Sequence, residues 1–165
     1  MTPAITLEEL FAWNQETSTF WKGFLEDNLA VLEQPCDIGG VSTVQQFVRH
    51  IWGVELRWAQ RLAGVPELAR DAVPTGPLDA LFALHLEAVR LVRSLLDDPD
   101  KDWEATYTLD VAWLPPHART SSHRKIFGHM QFHSQRHWAQ LATQVRAAGF
   151  PSGFKGDLLL SSALR

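Results

Sequence analysis

The chain has 165 residues, 45% apolar and 21% charged, which suits one domain with a substantial core. A formal net charge of -4, a pI near 5.9 and the lack of a Lys/Arg cluster in the sequence argue against a surface built to neutralise phosphates, so nucleic acid is not an expected partner. No apolar run approaches the ~20 residues that span a bilayer, and the single cysteine, Cys36, excludes an internal disulfide.

The opening "MTPAITLEELFAWN" lacks the basic and apolar regions of a signal peptide, which predicts a cytoplasmic protein. Within it Thr6 and Glu9 form a capping box, and Leu7, Leu10, Phe11, Trp21, Leu25, Leu29 and Leu32 recur at three and four up to Pro35. The spacing predicts a first helix over 7–33. After "CDIGGVS", Val44, Phe47, Val48, Ile51, Glu55, Trp58 and Leu62 give a second stripe, predicting a helix over 43–63 that ends at "AGVP". "PTGP" opens a third, Leu78, Leu81, Phe82, His85, Val89, Val92 and Leu96, predicting a helix over 77–98.

Residues 100–120 carry β-formers, two consecutive prolines and no helical stripe, which reads as a long excursion holding a short hairpin. Ser121 or Ser122 then caps a fourth run, Ile126, Met130, His133, His137, Leu141 and Val145, predicting a helix over 122–148. The remaining residues, Gly/Ser-rich with one apolar patch, either dock on the bundle, pair with another subunit or fray. Four amphipathic helices around one core predict an all-α four-helix bundle as a single domain over 1–165, with a long excursion between helices three and four. Seven tryptophans, mostly at helical spacing and including Trp113 in the excursion, read as core or pocket rim. Cys36 follows "EQP" with no His or Lys beside it and reads as a small loop or helix-end residue.

The chemistry concentrates in "HMQFHSQRHWAQ", residues 129–140. The inward stripe of the fourth helix runs through His133 and His137, with Gln131 and Gln135 expected on the other side. Two interior imidazoles at i and i+4 must find partners for their ring nitrogens, which an aliphatic core cannot supply and a divalent cation can. His50, at the edge of the second stripe, can turn inward as a third nitrogen, leaving positions open to water or substrate. A competing register would use His129 with His133.

"HIWGVELRW" in the second helix together with "HMQFHSQRHWAQ" in the fourth resembles the DinB/YfiT-like superfamily, whose helix-four pattern is H-x-x-x-H-x-x-x-H-R-G-Q. The resemblance covers the chain in length, helix order and ligand placement. It implies His50, His133 and His137 as metal ligands, with Gln140 matching the family glutamine. The chain departs from the pattern where Trp138 and Ala139 replace Arg-Gly. Characterised relatives are thiol-dependent, as transferases using bacillithiol-type cofactors or a mycothiol-dependent isomerase. In the related sulfoxide-synthase domain a glutamate usually completes HxxxHxE, and Ala139 stands in its place here.

Around this set, His129 reads as a pocket residue or simple packing. Glu55, in an inward position, either accepts the free N–H of a ligand imidazole, acts as a general base, or pairs with an arginine. His85 is the one candidate for a fourth ligand, against a buried histidine bonded to a carbonyl or water. Asn14 and Ser18 suggest a polar pocket at their level of the first helix. Arg57 and Arg61 either line the mouth and receive an anionic substrate or sit solvated beside acids. His117 and His123 read as surface residues.

These residues point to a metal-dependent enzyme acting on a small molecule. Its cofactor would be a divalent transition metal, nickel or zinc first with iron or manganese also accepted, and the resemblance adds a low-molecular-weight thiol and a thiol-dependent S-transferase or isomerase activity. The alternatives are a hydrolase using metal-bound water and a non-catalytic metal-binding or stress-response protein. The resemblance and the apolar tail together predict a homodimer.

Overall fold

The computed structural model describes residues 5–110 and 114–163, and Trp113 falls outside them. Four helices carry the fold: α1 (Leu7–Asp27), α2 (Val44–Ala63), α3 (Leu78–Leu96) and α4 (His123–Ala147). Thr6 Oγ1 accepts the Glu9 N–H at 3.1 Å while Glu9 Oε2 accepts the Thr6 N–H at 2.7 Å, which is the expected capping box. Thr43 and Ser122 cap α2 and α4 by accepting the N–H of Gln46 and Lys125. Gly64 closes α2 at φ +67°, a conformation that costs a side-chain-bearing residue.

The first helix stops six residues before the predicted end. Asn28 leaves the helical conformation, its Nδ2 donating to the Phe24 carbonyl, and the chain tightens into a 3₁₀ turn over Leu29–Glu33. Continuing the α-spiral would keep Leu29 on the inner stripe. The tighter turn instead buries Val31 and Leu32 and leaves Leu29 59% exposed.

Tryptophan fills the centre of the bundle. The rings of Trp21 and Trp138 stack with centroids 5.4 Å apart and 13° between planes, and Trp52 meets Trp138 edge-on at 5.5 Å. All three are fully buried, and each removes from water an area corresponding to about 4–6 kcal/mol of transfer free energy. α4 lies against both α1 and α2, so it buries more than one stripe. Gln131 and Gln135, expected outside, are interior, and Gln135 Nε2 donates to Thr17 Oγ1 at 2.9 Å. Ser134 and Trp138 share that inner face, which moves His133 to the helix flank, half-buried.

The excursion between α3 and α4 contains the expected hairpin. β1 (Thr106–Thr108) pairs antiparallel with β2 (Thr120–Ser122), placing Tyr107 opposite Ser121, and β2 runs directly into α4. The tail docks on α1: Phe154 packs against Phe20 and Trp21, and Ser161 Oγ donates to Glu16 Oε2 at 2.6 Å. Leu159 and Leu160 stay exposed. Cys36 is buried where the chain enters α2. Among the described residues no helix is long and apolar enough to cross a membrane.

Candidate metal centre and its cavity

α2 and α4 bring His50, His133 and His137 together, each offering one ring nitrogen within 4.8 Å of the other two. The i, i+4 spacing on α4 sets the closest pair, with the Nε2 atoms of His133 and His137 3.1 Å apart. A tetrahedral ion with ~2.05 Å bonds spaces its ligand nitrogens about 3.3 Å apart. Phe47, one turn before His50, packs its ring against both His50 and His137 and limits how far they rotate.

The protonation pattern follows from these neighbours. His137 Nδ1 lies 2.7 Å from Gln140 Oε1, an oxygen that can only accept, so the ring proton sits on Nδ1 and the Nε2 lone pair faces His133. Burial, then the charges of His137 and the nearby arginines, pushes the His50 pKa down to about 4. Burial and the three other histidines push His133 down to about 2. Burial also lowers His137, partly offset by the Gln140 bond. Three neutral imidazoles whose ring nitrogens converge are a donor set for a zinc- or nickel-type divalent ion. The buried Nδ1 of His133 has no hydrogen-bond partner among the described residues, whereas His137 is oriented by Gln140 and also has Arg136 Nη2 3.4 Å from its Nε2.

A cavity of about 860 Å³ opens beside the cluster, with His50, His133 and His129 on its wall. Its far side is the connection between α2 and α3, held by Arg49. The Arg49 Nε donates to the carbonyls of Val73 and Pro74 at 3.1 and 2.9 Å, and its Nη2 reaches Val73 and Arg70 at 2.6 and 3.2 Å. Val73 packs so close to Gly53 that a Cβ there would stand 3.2 Å from Val73 Cγ1. A small residue on α2 therefore lets the connection lie down against the cavity.

The other expected site residues separate into two groups. Arg57, Arg61 and His129 line the cavity, with Arg61 bonded to Glu67 and stacked over Trp58. His129 also meets Trp58 edge-on at 5.1 Å and sits on the solvent side of the cluster. Glu55, His85 and Asn14 form a separate interior network across three helices. His85 Nδ1 donates to Glu55 Oε2 at 2.9 Å, and Asn14 Nδ2 donates to Glu55 Oε1 at 2.6 Å. Glu55 thus pairs with a histidine outside the cluster, not with a ligand imidazole or an arginine. It is also absent from the cavity wall, where a general base would have to stand. His85 is occupied by Glu55 and lies outside the three-histidine group, and Asn14 is fully buried away from the cavity. Ser18, also interior, accepts the indole N–H of Trp52 at 3.4 Å. His117 is exposed, and His123 Nδ1 lies 3.2 Å from the Asp102 carbonyl oxygen.

Sequence reasoning missed Arg70 and Arg136, both on the cavity wall. Arg136 follows His133 by three residues, so helical spacing alone placed it on that face. Arg70 lies in an irregular connection and carried no periodic signal.

A profile of the DinB superfamily matches residues 8–141, from the first helix through most of the fourth. The chain belongs to the DinB superfamily. A search of curated proteins finds no match for it. In this DinB chain, the tryptophan after His137 is a core residue, fully buried against Trp21 and Trp52, so the departure at position 138 acts on packing beneath the cluster.

Proposed function

We propose that this DinB protein is a metal-dependent enzyme that adds a low-molecular-weight thiol to an electrophilic small molecule, keeping the new C–S bond as an S-transferase or releasing the thiol again as a related isomerase. The observation that carries the reading is the convergence of three neutral imidazoles from two helices, two of which, His50 and His133, line an open cavity. His50, His133 and His137 would hold one divalent ion, nickel or zinc in first place. A bound ion supplies Lewis acidity, which lowers the pKa of a thiol and so raises its thiolate fraction at neutral pH. Gln140 holds His137 in the tautomer that presents Nε2, and Phe47 restrains the rings of His50 and His137.

The engagement of His85 by Glu55 supports an open sphere over a closed four-histidine one, and an open sphere is what a reacting centre requires. The choice of thiol over water as nucleophile rests on the superfamily resemblance. We place the protein in the cytoplasm, where reduced small thiols are abundant, and as a homodimer.

The test is elemental analysis of protein purified without a polyhistidine tag, alongside His50→Ala and His133→Ala. About one transition metal per chain, lost in both variants, is expected, followed by thiol-dependent turnover of an added electrophile, with the thiol consumed by a transferase and returned by an isomerase. Protein that carries no metal and takes none up on reconstitution overturns the reading.

A further inference from the structure

The cavity beside the histidines is strongly basic within an acidic protein. Five arginines line it, Arg49, Arg57, Arg61, Arg70 and Arg136, against one carboxylate, Glu67. Two of the five are firmly engaged, Arg49 on backbone carbonyls and Arg61 on Glu67, and Arg136 Nη2 has a longer 3.4 Å contact with His137 Nε2. Among the described residues, Arg57, Arg70 and Arg136 have no carboxylate partner. Arg57 is half-buried, and burial together with the charges of Arg70 and Arg61 lowers its pKa. A protein with net charge -4 has acids to spare for neutralising such a group. Concentrating like charge in a concave, partly desolvated space is unfavourable unless an anion enters.

We propose that this cavity is an oxyanion site in which Arg57, flanked by Arg70 and Arg136, receives a carboxylate or phosphate group of the small-molecule substrate. The planar guanidinium fork matches either group with two parallel N–H···O bonds. Arg49 and the Gly53–Val73 contact act as positioning elements, since they hold the connection that carries Arg70 against the cavity. An anion seated there would leave the rest of its molecule beside His50 and His133. That last step rests on the metal-enzyme reading, whereas the oxyanion site itself does not.

Calorimetric titration of full-length, chelator-treated protein with succinate and with inorganic phosphate, at constant ionic strength in chloride, tests it without the metal. Saturable binding of at least one anion is expected, weakened tenfold or more in Arg57→Met and severalfold in Arg70→Gln. Arg70 is exposed, so its variant keeps the test meaningful should Arg57→Met fold poorly. The tighter anion identifies the group as carboxylate or phosphate. No binding of either anion, or equal binding by the wild type and both variants, overturns the proposal. Metal content measured before chelation keeps the two readings apart. A metal-free chain that binds succinate loses only the enzyme reading, and a metal-binding chain indifferent to both anions loses only the oxyanion site.

Discussion

The amide oxygen of Gln140 accepts the Nδ1 proton of His137 at 2.7 Å, and in doing so decides which nitrogen of that ring is free to coordinate. Removing the acceptor leaves the tautomer and the ring orientation to chance. Gln140→Leu is expected to weaken metal affinity about 10- to 100-fold, the range typical of losing an orienting contact. Gln140 is exposed, so the fold should be unaffected. Competition against a chromogenic chelator, with a thermal melt of the same sample, reads both quantities; unchanged affinity would remove Gln140 from the site.

Glu55 and His85 make the opposite separation. Both side chains are almost wholly buried, and deleting one member strands the other in the core at a cost of about 3–5 kcal/mol. His85→Leu should therefore lower the denaturation midpoint sharply while leaving about one metal per chain. Loss of metal at a temperature where the variant is folded would make His85 a ligand and contradict the geometry.

Protonation gives a third expectation. The His50 pKa falls from 6.5 to about 4 in the folded chain, so between those values the unfolded chain binds more protons. The folded state consequently loses stability as pH drops through 6.5 and stops losing it near pH 4, and above 6.5 this group contributes no slope. Chelator-treated protein should show Tm falling across that window, less steeply in His50→Ala. Identical slopes in the two proteins would mean that His50 protonates in the fold as readily as in a free peptide.

Trp138 tests the packing beneath the cluster. Trp138→Ala should cost about 3–5 kcal/mol by leaving a cavity between Trp21 and Trp52. Trp138→Arg places an unpaired charge in a fully buried position and should be worse still. Urea denaturation of the two variants ranks them, and an arginine variant as stable as the parent would show that the core can open to solvent there.

Much of this was legible in the residues. Caps at Thr6, Ser122 and Gly64 fell where the helices begin or end, and the histidines at i and i+4 lie together because a helix permits little else. The failures on inward faces share a cause, which is that a stripe describes one neighbour. α4 packs on two helices, so Gln131 and Gln135 went inside and His133 moved to the flank. Glu55, His85 and Asn14 were each noticed as polar groups on inward faces, yet periodicity within a helix says nothing of which inward groups meet across three of them. Arg70 reached the cavity through hydrogen bonds from Arg49 to backbone carbonyls, which bear no side-chain signature.

Cys36 has a consequence for how the chemistry must be supplied. It is 3% exposed, and burial raises its pKa, so the only sulfhydryl in the chain is neither ionised at neutral pH nor accessible. A sulfur nucleophile for the proposed reaction would therefore have to be imported by diffusion. A thiol-specific dye should accordingly register almost nothing from the native protein and one equivalent per chain after denaturation. Its colour would then report the depletion of an added thiol over a blank background.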